Sequence, residues 1–427
     1  MASISNQKGS SKKVPKLLNK EDRISSLPDS LLVHILSFLP IKYSFRTSIL
    51  SSRWKYLWAS VPTLDFDDKS SSNKRLKCSS NFMNVVDRVL LHHDLSCIQK
   101  FHLNCFPYND GDLSRIYTWI SVAIKHGVQL LDIKISPTRE KFYLPSSLFT
   151  CPTLVVLKLE YLRSFIVPCS AHFKSLKVLH VSFYHLDNDL TLNLFHNCPV
   201  LEELLVRGIV QGNEKRRFNV STPRALKSFR FYFQTFGVCE YNRNEIVINA
   251  PILKYLSLQN DCVPSCMLKN LTSLVQADVN VGYCCSNAWA TEQYANNVFM
   301  LLRNICTVKY LYLGARTMEA LEYAGDGAPL LFPNLIRLEL HVNNCCGWTC
   351  LLHLLKCTPN LCQHKDSKDF KFVEPEVAPC CLSTRLQEID ITGFVGLSSE
   401  EKLMGYFLRY AKVLRKMTNN SCNSKEN

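Results

Sequence analysis

Between Ser30 and Leu64 the chain has no aspartate or glutamate, although Lys42, Arg46, Arg53 and Lys55 all fall there. A stretch of that kind suits an acidic partner, either a nucleic acid or an acidic protein surface. Long apolar runs are also missing. No segment approaches the roughly 18 consecutive apolar residues that a membrane-spanning helix needs, so no membrane partner is expected. The opening "MASISNQKGSSKKVPKLLNK" holds five lysines and no apolar stretch, so it is not read as a secretory signal. The fourteen glycines form neither a GxGxxG nor a phosphate-cradling loop, and HExxH and Cys-x2-Cys spacings do not occur. Dinucleotide binding, P-loop chemistry, zinc proteolysis and paired-thiolate zinc sites have no motif to rest on, and no cofactor is expected.

What is present describes a globular chain. Apolar residues make up 47% and charged residues 20%, and 427 residues are enough for more than one folded unit. Twenty cysteines occur, but without a secretory signal a reducing compartment is expected, cytoplasmic and/or nuclear. There the thiols act as small buried apolar groups, and no structural disulfide is expected. The formal charge of +14 is uneven. Residues 1–60 hold ten Lys and Arg against three Asp and Glu, a net +7.

"SSLPDSLLVHILSFLP", Ser25 to Pro40, predicts one short helix. Ser26 and Asp29 have capping-box spacing, Pro28 falls in the first turn, and Pro40 ends the run. At about 100° per residue, Leu27, Leu31, Leu32, Val33, Ile35, Leu36, Phe38 and Leu39 cover roughly 240° of its circumference. Ser30, His34 and Ser37 share the narrow remainder. Such a helix must bury two faces. Two more short helices are expected in "IKYSFRTSIL" and "SSRWKYLWASV", the latter capped by Ser51 or Ser52 with Trp54, Leu57 and Trp58 on one side. So small a unit has too little core to hide all these side chains, so the surplus predicts a surface for another protein. A helix-turn-helix would need a more polar recognition helix than "SRWKYLW", and a membrane-surface helix would need Lys or Arg on the first helix's polar strip.

From Asp22 to Asp68 the chain resembles the F-box of plant F-box proteins. The residues that carry the resemblance are Leu27-Pro28-Asp29, Ile35 through Pro40, Ser51-Ser52-Arg53-Trp54 and Leu57-Trp58, with Ile41 departing from the usual threonine. The resemblance implies docking to a small acidic Skp-type adaptor that bridges to a cullin–RING ubiquitin ligase. The expected adaptor-binding residues are Leu27, Pro28, Leu31, Leu32, Ile35, Leu36, Leu39, Trp54 and Trp58. Some of these must instead hold the unit together.

After a polar stretch and a predicted helix, "FMNVVDRVLLHHD", the pattern apolar-x-x-apolar-x-apolar recurs. Its rows are Ile98/Phe101/Leu103, Leu130/Ile133/Ile135, Leu154/Leu157/Leu159, Leu176/Leu179/Val181, Leu201/Leu204/Val206 and Leu226/Phe229/Phe231. They continue as Leu253/Leu256/Leu258, Leu274/Ala277/Val279, Val308/Leu311/Leu313, Leu335/Leu338/Leu340 and Leu386/Ile389/Ile391. From Leu130 to Leu274 the rows are 24, 22, 25, 25, 27 and 21 residues apart, within the leucine-rich-repeat range. Each row predicts one short parallel strand with a helical or irregular return, and stacking turns the rows into one curved solenoid. Intervals of 34 residues before Val308 and 51 before Leu386 are either insertions or rows not visible in the pattern.

Pro379 to Met417 resembles the FBD segment of plant F-box proteins, on Leu386, Ile389, Gly393-Phe394, Gly396, Glu401, Phe407-Leu408, Ala411 and Val413-Leu414. A strand, a glycine turn and an amphipathic helix through Phe407, Leu408, Ala411 and Leu414 are expected. The family's further strand is expected to be missing, because the chain continues as "TNNSCNSKEN".

The expected architecture is α/β: a curved leucine-rich-repeat solenoid behind an all-α three-helix F-box. Its divisions are a disordered basic leader (1–20), the F-box (21–68), a linker and helix (69–97), the repeats (98–378), the FBD-like cap (379–417) and a disordered tail (418–427). No catalytic residue is expected, and without Cys-x2-Cys pairs the chain would recruit a ligase, not act as one. Cys346, Cys350, His353, Cys357, Cys362 and His364 cluster in sequence, but a helix between repeat rows explains them without a metal. The expected role is substrate receptor of a Skp–cullin–F-box ligase, with the repeats binding an unidentified target. The alternatives are a ligase-independent scaffold and a salt-sensitive nucleic-acid binder that uses the basic N-terminus.

Overall fold

The computed structural model describes residues 23–24, 26–68, 80–96, 98–107, 109–135, 142–162, 168, 170–183, 197–211, 217–221, 225–236, 245–260, 265–282, 292–322, 330, 332–341, 374, 380–394, 396 and 398–420. The chain divides into two compact units at Val61/Pro62.

The first unit is helical. Helices α1 (Asp29–Leu36) and α2 (Ile41–Arg46) are each entered through a proline, Pro28 and Pro40, whose missing amide costs nothing at a helix start. The expected capping box does not form. Ser26 Oγ donates to the Arg23 carbonyl at 2.7 Å, and the Asp29 carboxylate accepts from Arg53 instead. The buried Ser44 hydroxyl of α2 donates to the Leu36 carbonyl at 3.0 Å, which ties α2 to the end of α1. "SSRWKYLWASV" is not an α-helix but turns followed by a 3₁₀ turn, Leu57–Ser60, with no side-chain cap. Three residues per turn bring Trp54 and Leu57 to the same side. Both are buried with Leu32, Leu36 and Val61.

The second unit is built on a 13-stranded parallel sheet. In order its strands are β1 (Thr63–Asp67), β2 (Lys100–Cys105), β3 (Leu130–Ile135), β4 (Val156–Leu162), β5 (Val178–Phe183), β6 (Glu203–Gln211), β8 (Ser228–Phe236), β10 (Tyr255–Asn260), β12 (Gln276–Val281), β13 (Tyr310–Leu313), β14 (Arg337–His341), β15 (Glu388–Thr392) and β16 (Lys416–Asn420). Consecutive rows stack in register: Leu131, Leu157, Leu179, Leu204, Phe229 and Leu256 are paired neighbours, and all are buried. Side chains alternate, so each strand sends one row into the core and one outward.

Four expectations need correction. On β3 the core row is Leu131/Ile133, paired with Leu157/Leu159, and Leu130 belongs to the outward row. The span read as an all-α F-box is not all-α: Thr63–Asp67 form the first strand of the sheet, with Leu64 paired to Phe101. Returns are not all helix or coil: β7 (Arg217–Ser221), β9 (Glu245–Asn249) and β11 (Ser265–Lys269) form a second, three-stranded parallel sheet. Finally, β16 is present and pairs with β15, so the FBD-like segment does end in a strand.

The wide intervals are insertions. Strands β12 and β13 are direct neighbours, as are β14 and β15, so no row is missing between them. The first interval holds helix α5 (Glu292–Asn304); α6 (Ala315–Glu322) follows β13. Ahead of the regular repeats, α3 (Ser80–His92) and α4 (Asp110–Lys125) serve as returns, and Asp87 of α3 accepts from Trp119 Nε1 of α4 at 2.6 Å. In the C-terminal segment a short helix, α7 (Cys380–Thr384), precedes β15. Gly393 and Gly396 then turn the chain at φ 103° and 88° into α8 (Ser398–Tyr410). The predicted face of α8 is only partly right. Leu403, Tyr406 and Phe407 are buried, while Leu408 faces solvent.

Candidate functional site

The first unit carries a candidate docking face because α1 is apolar on two sides. Leu32 and Leu36, 0% and 1% exposed, enter the core with Trp54, Leu57 and Val61, and Leu27 and Val33 pack against it. Leu31 and Ile35, one residue earlier in each turn, remain 48% and 44% exposed. Of the nine sequence-predicted adaptor residues, Leu32, Leu36, Trp54 and Trp58 are buried within the unit and Leu27 is half-buried. Pro28, Leu31, Ile35 and Leu39 are at the surface.

The unit exposes further large apolar side chains that the sequence reading did not assign to the adaptor. Phe38, Tyr43, Phe45, Ile49, Leu50 and Tyr56 are large, apolar and exposed, with Ile49 at 88%. A signal was available: Ile49 and Leu50 lie in and after the 3₁₀ turn Thr47–Ile49 that follows α2, a turn with no buried residue of its own. Phe45 meets the Trp58 ring edge-to-face at 5.2 Å, and the Arg46 and Lys55 cations lie over Tyr43 and Tyr56 at 5.7 and 5.2 Å. Asp29 is the one carboxylate among the described residues of this unit, and Arg53 holds it at 2.6 Å. The surface around the apolar face is therefore basic, and so large an apolar area on so small a unit marks an interface.

The outward row of the large sheet is a second surface, and it is polar. His102 stands between Asp132 at 3.3 Å and Asp65 at 3.9 Å. The Asp132 hydrogen bond raises its pKa above the ordinary value against the effect of burial. Burial pushes Asp132 upward, but the His102 hydrogen bond and charge outweigh it and leave the carboxyl below its usual range. Further along, Glu203 accepts from His180 at 3.0 Å and Arg230 at 2.7 Å. Arg230 lies 5.1 Å over Tyr255, whose hydroxyl donates to Asp278. Burial, helped by that bond, pushes the Tyr255 phenol up to about 12.

Of the described cysteines, Cys105, Cys151 and Cys198 are buried and Cys266 and Cys306 half-buried, and burial pushes the Cys198 thiol up to about 12, away from the reactive thiolate. Among the described residues no group of His, Cys, Asp and Glu has the geometry to hold a metal. The cysteine and histidine cluster from Cys346 to His364 lies outside the described residues. No described helix is long and apolar enough to cross a membrane.

Comparison with known proteins places three family models along the chain. A model of the F-box domain matches residues 24–65, an FBD model matches 374–418, and the repeat model of the FBD-associated F-box protein At5g56370 matches 116–282. F-box/LRR-repeat protein At4g14103 of Arabidopsis thaliana is 36% identical over 360 residues, covering 81% of this chain and 91% of its own. F-box/FBD/LRR-repeat protein At1g13780 of the same plant is 30% identical over 436 residues, covering 93% and 90%. No solved structure matches the chain. With an apolar helical unit, a sheet of stacked parallel rows and a terminal strand–helix–strand in that sequence order, this chain belongs to the plant F-box/FBD/LRR-repeat family.

Proposed function

We propose that this protein is the substrate-recognition subunit of a Skp–cullin–F-box ubiquitin ligase. The observation that carries the reading is the two-sided α1. One side closes the core of the first unit and the other leaves Leu31 and Ile35 uncovered, while Phe38, Leu39, Phe45, Ile49 and Leu50 of the same unit are exposed as well. An acidic Skp-type adaptor complements that apolar face and its rim of Lys42, Arg46 and Lys55. The stacked rows, read as a curved solenoid, hold a target protein near the ubiquitin donor of the cullin–RING partner. Catalysis by this chain is then positioning, which raises local concentration, and the bond-making belongs to its partners. A reducing compartment, cytoplasmic and/or nuclear, suits its many thiols.

Co-purification with a Skp-type adaptor and cullin tests the reading. Leu31→Asp/Ile35→Asp is the informative variant, since both residues are exposed and a charge there is not buried. Wild type should bring down both partners, and the variant should lose at least tenfold of them with an unchanged thermal melt. If folded wild type captures no adaptor, the protein is a ligase-independent scaffold. That second reading has already lost one support, because the C-terminal strand is present.

A further inference from the structure

The outward positions of the large sheet do not mix their charges evenly. Over β4, β5, β6 and β8 they include Lys158, His180, Arg207 and Arg230 against Glu160 and Glu203. Glu160 is taken by Lys134 of β3 at 3.3 Å, and Glu203 is shared by His180 and Arg230. Among the described residues, Lys158 and Arg207 then have no carboxylate within ion-pair distance; Asp132 of β3, the register neighbour of Lys158, feels its charge but is held by His102. Arg207 is exposed and lies 5.3 Å over the Tyr232 ring, which orders the guanidinium before any partner arrives. Over β12 to β15 the balance reverses, with Asp278, Glu339, Glu388 and Asp390 against Arg337.

We propose that the basic half of this face, from β4 to β8, seats an extended segment of the target whose Asp or Glu side chains stand three to four residues apart. The inference rests on the reading of the repeats as the target-binding part. Neighbouring strands are ~4.8 Å apart and residues along them ~3.3 Å, which places Lys158 about 12 Å from Arg207, the two cations left without a carboxylate at ion-pair distance. An extended segment crossing the strands advances ~3.3 Å per residue, so carboxylates three or four residues apart meet those cations in turn. Separated cations suit separate single charges. A phosphate dianion would be served better by donors converging on one point. Leu205, half-buried between His180 and Arg230 in the same row, and Tyr232 supply apolar contact between the charges.

The test is selection of random 12-residue displayed peptides on the full-length chain, followed by affinity measurement on selected peptides. Enrichment of Asp and Glu at three- to four-residue spacing is expected. Affinity should fall about tenfold in Lys158→Gln/Arg207→Gln, and it should weaken with salt. A thermal melt and adaptor capture, both expected to be unchanged in the variant, separate lost docking from lost folding. No enrichment, enrichment of Lys and Arg, or equal affinity in wild type and variant overturns the proposal. So does phosphoserine in place of the selected acids if it tightens binding tenfold, because the surface then reads a dianion. Failure of adaptor capture by wild type would overturn the ligase reading and leave the peptide result to stand or fall separately.

Discussion

Leu31 and Leu32 are adjacent, identical in chemistry and opposite in consequence. Leu36→Ala or Leu32→Ala empties a fully buried site and should cost about 2–5 kcal/mol in denaturant unfolding of the first unit. Leu31→Ala removes exposed surface and should change stability by no more than ~0.5 kcal/mol while weakening adaptor capture. His102 gives a residue-scale prediction with a sign. Its folded-state pKa is raised, so the stability it contributes is fully present below its unfolded value of 6.5 and is lost as pH rises through the folded value. Asp132 is depressed and works in the other direction, contributing above its unfolded value of 3.8 and losing that as pH falls through the folded one. Wild type should therefore exceed His102→Gln in stability by more at pH 6 than at pH 8.5. A difference that is flat across urea melts at the two pH values would remove the His102–Asp132 pair from the account.

At the scale of elements, local signals succeed where one residue settles the outcome. Asn109 accepts from the Asp112 amide at 2.9 Å and begins α4, so Asn109→Ala should cost about 1 kcal/mol in the melt of the sheet unit. Gly314 follows β13, and an added Cβ would collide with the Asn280 side chain of β12. Gly314→Ala should destabilise by ~1–3 kcal/mol, and Asn280→Gly in the same chain should recover part of it in a double-mutant cycle. The capping box at Ser26 and Asp29 failed for a related reason. Its spacing is local, but Arg53, 24 residues further on, offers Asp29 a charged partner that the backbone amide cannot match.

At the scale of the whole molecule, each repeat row buries its face only against the next, so an end row has nothing to lean on. Strand β16 covers β15 at that end, and truncation after Arg415 should lower the melting temperature and promote association through the bared parallel edge, measurable by light scattering. The terminal strand "KMTNN" was not legible in the sequence. Its pattern is polar, and what makes it a strand is the ladder offered by β15. The side sheet of β7, β9 and β11 was hidden in the same way, since three separated five-residue segments gain strand geometry only by lying beside one another. By contrast, the rows from Leu154 to Leu274 were legible because their spacing is set by one stacking unit. The sequence by itself determined that α1 has more apolar surface than a small unit can bury, that parallel rows follow it along the chain, and that the chain belongs to a family with these parts. Only the tertiary structure decided which leucines of α1 close the core and which stay open. Hydrophobicity is a property of a side chain, whereas burial depends on what the rest of the chain places against it.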